Sequence, residues 1–222
     1  MLNRDDVFNE LGIGPVWRLR DKPSDASHVP SCIKTWEQLA DAVAHCTACT
    51  LHASRTQGVL GVGDRNADWL IIGEAPGADE DAQGEPFVGP AGKLLDAMLT
   101  SIGLQRGDNV YITNVLKSHP PGNRNPEPDE LAACRPYLLA QIELIQPKII
   151  LALGHVAAQS LLDTQETIGH LRGMAHQFQG VPLVVTYHPA YLLRKPTDKA
   201  RAWEDLCLAR RTLHAHLESL TL

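Results

Sequence analysis

Four short segments of this 222-residue chain carry the side chains that chemistry needs. The first reads Gly73-Glu74-Ala75-Pro76-Gly77-Ala78-Asp79-Glu80-Asp81. Its glycines let a backbone approach a ligand closely. Its four carboxylates can orient a water or oppose developing positive charge. The segment is neither the dinucleotide G-x-G-x-x-G motif nor a phosphate loop, because no G-K-[ST] follows. Read alone, it is equally a solvated acidic loop. The second segment, Gly84-Glu85-Pro86-Phe87-Val88-Gly89-Pro90-Ala91-Gly92, presents Phe87 between a proline and small residues. An aromatic ring so placed can stack on a planar base, or fill the core. Asn114 offers both a donor and an acceptor, so it can read a base edge with two hydrogen bonds, or cap a turn. His188 can hydrogen-bond a carbonyl oxygen as it gains negative charge. Beyond it, Tyr191-Leu192-Leu193-Arg194-Lys195 pairs leucines with cations. That combination suits a wedge in a base stack with the cations on phosphate; core leucines are the competing explanation.

The elements that must position these residues follow from hydrophobic spacing. Asp68 to Ile72 is a short apolar run and reads as a buried strand. Val110–Val115, Lys148–Leu153 and Pro182–Tyr187 read as three more. Helical spacing runs from Thr35 toward Cys46, and over Ala91–Ile102, Glu130–Ile145, His155–Leu162 and Thr197–Leu217. Strands separated by helices imply a mostly parallel sheet covered on both faces. The expectation is therefore an α/β fold, a three-layer α/β/α arrangement around a central four-stranded sheet. Ligands in such sheets bind at the carboxyl ends of the strands. Glu74, Asn114 and His188 all follow or end a strand, so they gather at that edge. Residues 1–31 look like an appendage, with RLRDKPSDASHVP as a polar, proline-bearing linker; residues 32–222 form the domain.

Composition bounds the function further. Hydrophobic residues make up 44%, enough for a substantial core. No apolar stretch approaches the roughly 20 residues of a membrane span, and no signal-peptide run opens the chain. A cytoplasmic, nucleoid-associated protein is expected. The net charge of −6 predicts a local basic footprint rather than a broad one. Five cysteines without a secretion signal argue against a disulfide framework. Cys46 and Cys49 form a C-x-x-C pair that suits a metal or cluster, with ordinary thiols as the alternative.

Together these segments resemble the family 4 uracil-DNA glycosylases, the iron–sulfur branch of that superfamily. The resemblance runs from about Cys46 to the end of the chain. It is carried by C-T-A-C-T-L, G-E-A-P-G-A-D-E-D, G-E-P-F-V-G-P-A-G-K-L-L-D, Y-I-T-N-V, H-P-P-G-N-R-N-P, C-R-P-Y-L and H-P-A-Y-L-L-R. It implies hydrolysis of the N-glycosidic bond of uracil in DNA, leaving an abasic site. It also implies roles for the matching residues. Phe87 would stack on uracil, Asn114 would bond its edge, and His188 would contact O2 as the bond lengthens. Gly73 and Ala75 would line the base site. Glu74 and Glu80 would position water and face the sugar. Leu192 or Leu193 would displace the base, with Arg194 on phosphate. The family's [4Fe–4S] cluster would engage Cys46, Cys49 and Cys134. Ser118 stands at the fourth cysteine position, so the cluster is in doubt; His119 is an alternative ligand, and Cys32 or Cys207 could also approach. The family's cluster is mainly structural. The alternative reading is a non-catalytic DNA- or protein-binding accessory module on the same fold, with residues 1–31 as the segment left for a protein partner. A phosphate-cradling hydrolase lacks its loop, and the covalently trapping branch of the superfamily lacks its histidine-bearing insertion after Asn114.

Overall fold

The computed structural model describes residues 33–220. The segment 1–31, read above as an appendage, and Cys32 lie outside the described residues. Six strands form one sheet: β1 (Val62–Gly63), β2 (Trp69–Gly73), β3 (Val110–Asn114), β4 (Ile149–Leu153), β5 (Ala175–Phe178) and β6 (Val181–Thr186). Their spatial order is β1-β3-β2-β4-β6-β5. The inner four are parallel, and they are the four strands expected from the sequence. The two edges, β1 and β5, pair antiparallel and were not expected. The reason is physical: β1 is two residues long, and β5 reads Ala-His-Gln-Phe, of which only Phe178 is buried. Short or polar edges carry no apolar run to detect. The sheet therefore has six strands, not four, within the α/β class.

Helices cover both faces. In chain order they are α1 (Trp36–Ala44), α2 (Ala78–Gln83), α3 (Pro90–Ser101), α4 (Pro128–Ile145), α5 (His155–Leu162), α6 (Ile168–Leu171), α7 (Pro189–Arg194) and α8 (Lys199–Leu220). Successive strand residues point to opposite faces, and the core divides accordingly. Ile71, Ile112, Leu151 and Val184 pack with Leu95 and Leu99 of α3 and Leu206 and Leu213 of α8. Leu70, Ile72, Ile150 and Val185 pack with Leu138 and Ile142 of α4 and Leu161 of α5. This is the expected three-layer arrangement. Among the described residues no helix is long and apolar enough to cross a membrane.

The helix starts have local causes. Pro90, Pro128 and Pro189 each occupy the first helical position, where a missing N–H is no loss. Thr35 caps α1, accepting from the Gln38 N–H. Helices α2, α6 and α7 were not expected, because segments of four to six residues are too short to show a helical period.

Candidate active site

A cavity of about 720 Å³ opens at the carboxyl edge of the sheet. Strand ends bring its walls together. In-register pairing of β2 with β3 sets Gly73 directly beside Asn114. The Gly154 N–H donates to the Thr186 carbonyl (2.8 Å), so the β4 and β6 ends meet as well. Glu74, Ala75, Phe87, Asn114, His188 and Arg194 all line the cavity.

Gly73 does not line it but makes room for what does. A Cβ there would collide with Asn114 Oδ1 and lie 2.5 Å from Phe87 Cζ. Phe87 is 6% exposed, and its ring centroid lies 5.5 Å from that of His188, tilted by 31°. Its backbone is left-handed, with φ at 57°. Asn114 is 2% exposed, and its Oδ1 has no hydrogen-bond partner. A buried amide oxygen left unpaired is costly, and the residue that carries this one lines the cavity. Beneath it, Lys117 is buried and donates from Nζ to the Asn114 carbonyl (2.6 Å), to Thr113 Oγ1 (2.7 Å) and to Gln141 Oε1 (2.6 Å). Burial pulls the Lys117 ammonium down to about 7.

His188 caps α7. Its Nδ1 accepts from the Ala190 N–H at 3.2 Å. A neutral imidazole accepting at Nδ1 carries its proton on Nε2. Burial first, then the Arg194 and His155 charges, pull His188 down to about 4, so the ring is neutral at physiological pH. The result is a neutral donor. Gly154 admits it closely: a Cβ there would lie 3.0 Å from His188 Cβ.

The acidic segment separates into distinct jobs. Glu74 faces the cavity, and burial raises its carboxyl above the ordinary range, opposed by the charge of His155. Glu80 also borders the cavity, but both its oxygens are engaged. One accepts from the Gly77 N–H (3.1 Å) and the other from the Val88 N–H (3.2 Å). Asp81 is buried and accepts from the Thr56 N–H at 2.8 Å. Asp79 is exposed on α2. The four carboxylates do not act as one group. Glu80 clips the acidic loop to the Phe87 loop, and Glu74 is the carboxylate left facing the cavity.

The leucine pair also divides. Leu192 is 1% exposed and belongs to the core beneath α7. Leu193 is 45% exposed. Leu192 is therefore not the wedge that the resemblance implied, because a core side chain cannot enter a base stack. Sequence reasoning missed His155, Arg124, Tyr187 and Tyr191, which also line the cavity. Arg124 is held by Glu130 through two bonds of 2.9 and 2.6 Å. The Tyr187 and Tyr191 rings stack at 5.1 Å. All four had a positional signal, since each ends a strand or lies in a segment that follows one, but none had a residue pattern that set it apart from its neighbours.

The four described cysteines do not line the cavity. Cys46 and Cys49 are half-buried and Cys134 is buried on α4. Burial pushes the Cys134 thiol up to about 11, and the nearby Cys49 and Cys46 thiols add to the rise. The three thiols therefore share one neighbourhood. Ser118 is buried and its Oγ accepts from Arg55 Nη1 at 2.9 Å. Arg55 Nη2 also donates to the Val43, Ala44 and Cys46 carbonyls. His119 turns to Asn123, with Nε2 and Oδ1 2.9 Å apart. Cys207 lies on α8. Among the described residues no three His, Cys, Asp or Glu side chains form a group able to hold a single metal ion. A four-thiolate cluster is not matched by this donor set, which offers three thiols and a hydroxyl already hydrogen-bonded to a guanidinium.

Residues 60–207 match the family described as the Uracil DNA glycosylase superfamily. A Type-4 uracil-DNA glycosylase of Pyrobaculum aerophilum is 42% identical over 180 residues, covering 78% of this chain and 91% of its own length. One from Archaeoglobus fulgidus is 45% identical over 172 residues, covering 74% and 86%. A Type-5 uracil-DNA glycosylase of Thermus thermophilus is 32% identical over 175 residues, covering 68% and 75%.

Proposed function

The chain belongs to the uracil-DNA glycosylase superfamily, on its type-4 side, and from that premise we propose that it excises uracil from DNA to leave an abasic site. The observation that carries the reading is the unpartnered Asn114 Oδ1 beside the Phe87 ring. A buried, unsatisfied amide next to an aromatic face suits a planar ligand with alternating donors and acceptors. Uracil is such a ligand, and an extruded base is one that can reach the cavity.

In this reading Phe87 stacks on the base. Asn114 accepts from the uracil N3–H and donates to O4. His188 donates from Nε2 to O2 as negative charge builds there, and a donor aimed at developing charge lowers the barrier. A neutral imidazole suits that task, since it has no ground-state charge to attract competing anions. Glu74 faces the sugar. Its carboxylate opposes the oxocarbenium-like charge and orients the water that adds to C1′. Glu80 holds the loop rather than the water. Gly73 and Ala75 give the base its space. Leu193 fills the gap left by the extruded base, and Arg194 takes backbone phosphate. DNA is the substrate partner; residues 1–31 are the appended segment, and 32–222 the glycosylase domain. No protein partner is needed for this chemistry, and segment 1–31 is the part of the chain left to recruit one. The protein acts where the chromosome is, in the cytoplasm at the nucleoid.

A [4Fe–4S] cluster of the kind that the resemblance implies would use Cys46, Cys49 and Cys134, with Ser118 a non-thiolate fourth corner. Such a group would tie the Cys46–Cys49 turn to α4 and is not needed at the cavity.

The test is an oligonucleotide carrying one uracil, single-stranded or opposite G or A, followed by alkali to cleave abasic sites. Wild type should cleave. His188→Ala should lose about 10²- to 10³-fold in excision rate, the usual effect of removing one such donor, while keeping its fold by circular dichroism. Uracil-independent DNA binding with no released base would instead favour an accessory module.

A further inference from the structure

Arg106 lies in the turn between α3 and β3, outside the cavity. Its two terminal guanidinium nitrogens grip one loop. Nη1 donates to the Pro86 carbonyl at 3.0 Å and Nη2 to the Phe87 carbonyl at 2.9 Å. Nε donates to Asp96 Oδ1 at 2.9 Å, so the donor fork is itself fixed from α3. The arginine side chain is only 23% exposed.

The loop it grips is under strain. Phe87 is a bulky residue with φ at 57°, a strained conformation that persists only where the surroundings enforce it. The surroundings here are specific. Gly92 lies so close that a Cβ would collide with the Phe87 carbonyl. The next N–H, Val88, is held by Glu80. Arg106 holds the two carbonyls on the other side. The left-handed turn aims the Phe87 ring at Gly73 and Asn114. In an extended conformation the same residue would point its ring elsewhere.

We propose that Arg106 is a positioning residue for base recognition: by holding the Pro86 and Phe87 carbonyls it keeps the Phe87 ring in stacking position. This rests on the reading of Phe87 as the base-stacking ring. Arg106 touches neither base nor sugar. Its loss lets Phe87 relax out of the left-handed region, so the pocket loses its stacking face while Glu74, Asn114 and His188 stay in place.

The experiment is a double-mutant cycle with Phe87→Ala, Arg106→Ala and the pair, plus Arg106→Lys. KM and kcat for a single-stranded uracil oligonucleotide are measured beside inhibition by free uracil and thermal melting. Phe87→Ala should weaken uracil inhibition and raise KM. Arg106→Ala should raise both constants about tenfold, equivalent to about 1.4 kcal/mol, with kcat less affected. The double mutant should be no worse than Phe87→Ala, because neighbours acting through one group are not additive. Arg106→Lys, able to donate to one carbonyl, should recover part of the loss. If Phe87→Ala itself leaves uracil inhibition unchanged, the stacking assignment fails. If Phe87→Ala weakens uracil but folded Arg106→Ala does not (Arg106→Gln taking its place should the alanine variant fail to fold), or the two effects add fully, the Arg106 proposal is overturned and the stacking assignment stands. A fall in melting temperature with unaltered uracil inhibition would make Arg106 a stability residue only, which also overturns it.

Discussion

Substituting Gly73 with alanine adds one methyl group at the carboxyl end of β2, and that methyl has nowhere to go. It would meet Asn114 Oδ1 and lie 2.5 Å from Phe87 Cζ, both well inside van der Waals contact. Neither neighbour can retreat easily. The Asn114 backbone is paired to Gly73 across the sheet and its carbonyl is held by Lys117. The Phe87 carbonyl is held by Arg106. The side chains must therefore rotate, and both leave the positions assigned to base recognition. Base–aromatic stacking is worth about 1–3 kcal/mol, and a net hydrogen bond about 0.5–1.5 kcal/mol. Losing most of both removes about 3 kcal/mol, or ~10²-fold in excision rate. Overpacking also costs about 1–3 kcal/mol of stability. For a chain of this size each kcal/mol lowers the melting temperature by roughly 2–4 °C, so the protein remains assayable when cool. Single-turnover excision on a single-stranded uracil oligonucleotide, beside a melting curve, separates the two effects. A folded Gly73→Ala protein that excises uracil within about threefold of wild type would refute the assignment of this corner as the base site.

Three other outcomes follow from the geometry. His188 is held down to about 4 against about 6.5 when unfolded, so the unfolded chain binds more protons between those values; urea denaturation should show stability falling as pH drops through that window, with a shallower fall in His188→Gln. Leu193→Ala should slow excision from duplex more than from single strands, because a wedge matters only where a stack must be opened, whereas Leu192→Ala should destabilise the fold by about 2–5 kcal/mol as a core truncation; equal losses on both substrates for Leu193→Ala would count against the wedge. Ser118→Cys completes the thiol set beside Cys46, Cys49 and Cys134, so anaerobic reconstitution should load more iron and acid-labile sulfide than wild type; equal loading in both would show that the hydroxyl is no obstacle.

The four inner strands were legible because each is an apolar run buried on both faces, such as Trp69–Gly73. The long helices were legible through their spacing. The edges β1 and β5 were not, since pairing there depends on a neighbour rather than on local hydrophobicity. The cavity residues Glu74, Phe87, Asn114 and His188 were found because each follows a strand or sits in a distinctive loop. What they do to one another was invisible. No spacing reveals that Glu80 spends both oxygens on backbone N–H groups, or that Leu192 faces inward while Leu193 faces out. Arg106 escaped notice for the same reason: its partners lie 19 and 20 residues earlier in the chain.

The strand order has a consequence for how this protein is made. Glu74, Asn114 and His188 follow or end β2, β3 and β6, which the sheet places in an order unlike that of the chain. A ribosome releases His188 well after it has released Glu74, and parallel pairing must wait for the later strand. The cavity therefore cannot be complete before β6 has paired with β4. Side chains alternate between faces, so a one-residue slip in any strand would turn its terminal group away. A nascent or misregistered chain holds only fragments of the site. Measured excision therefore doubles as a readout of correct strand register.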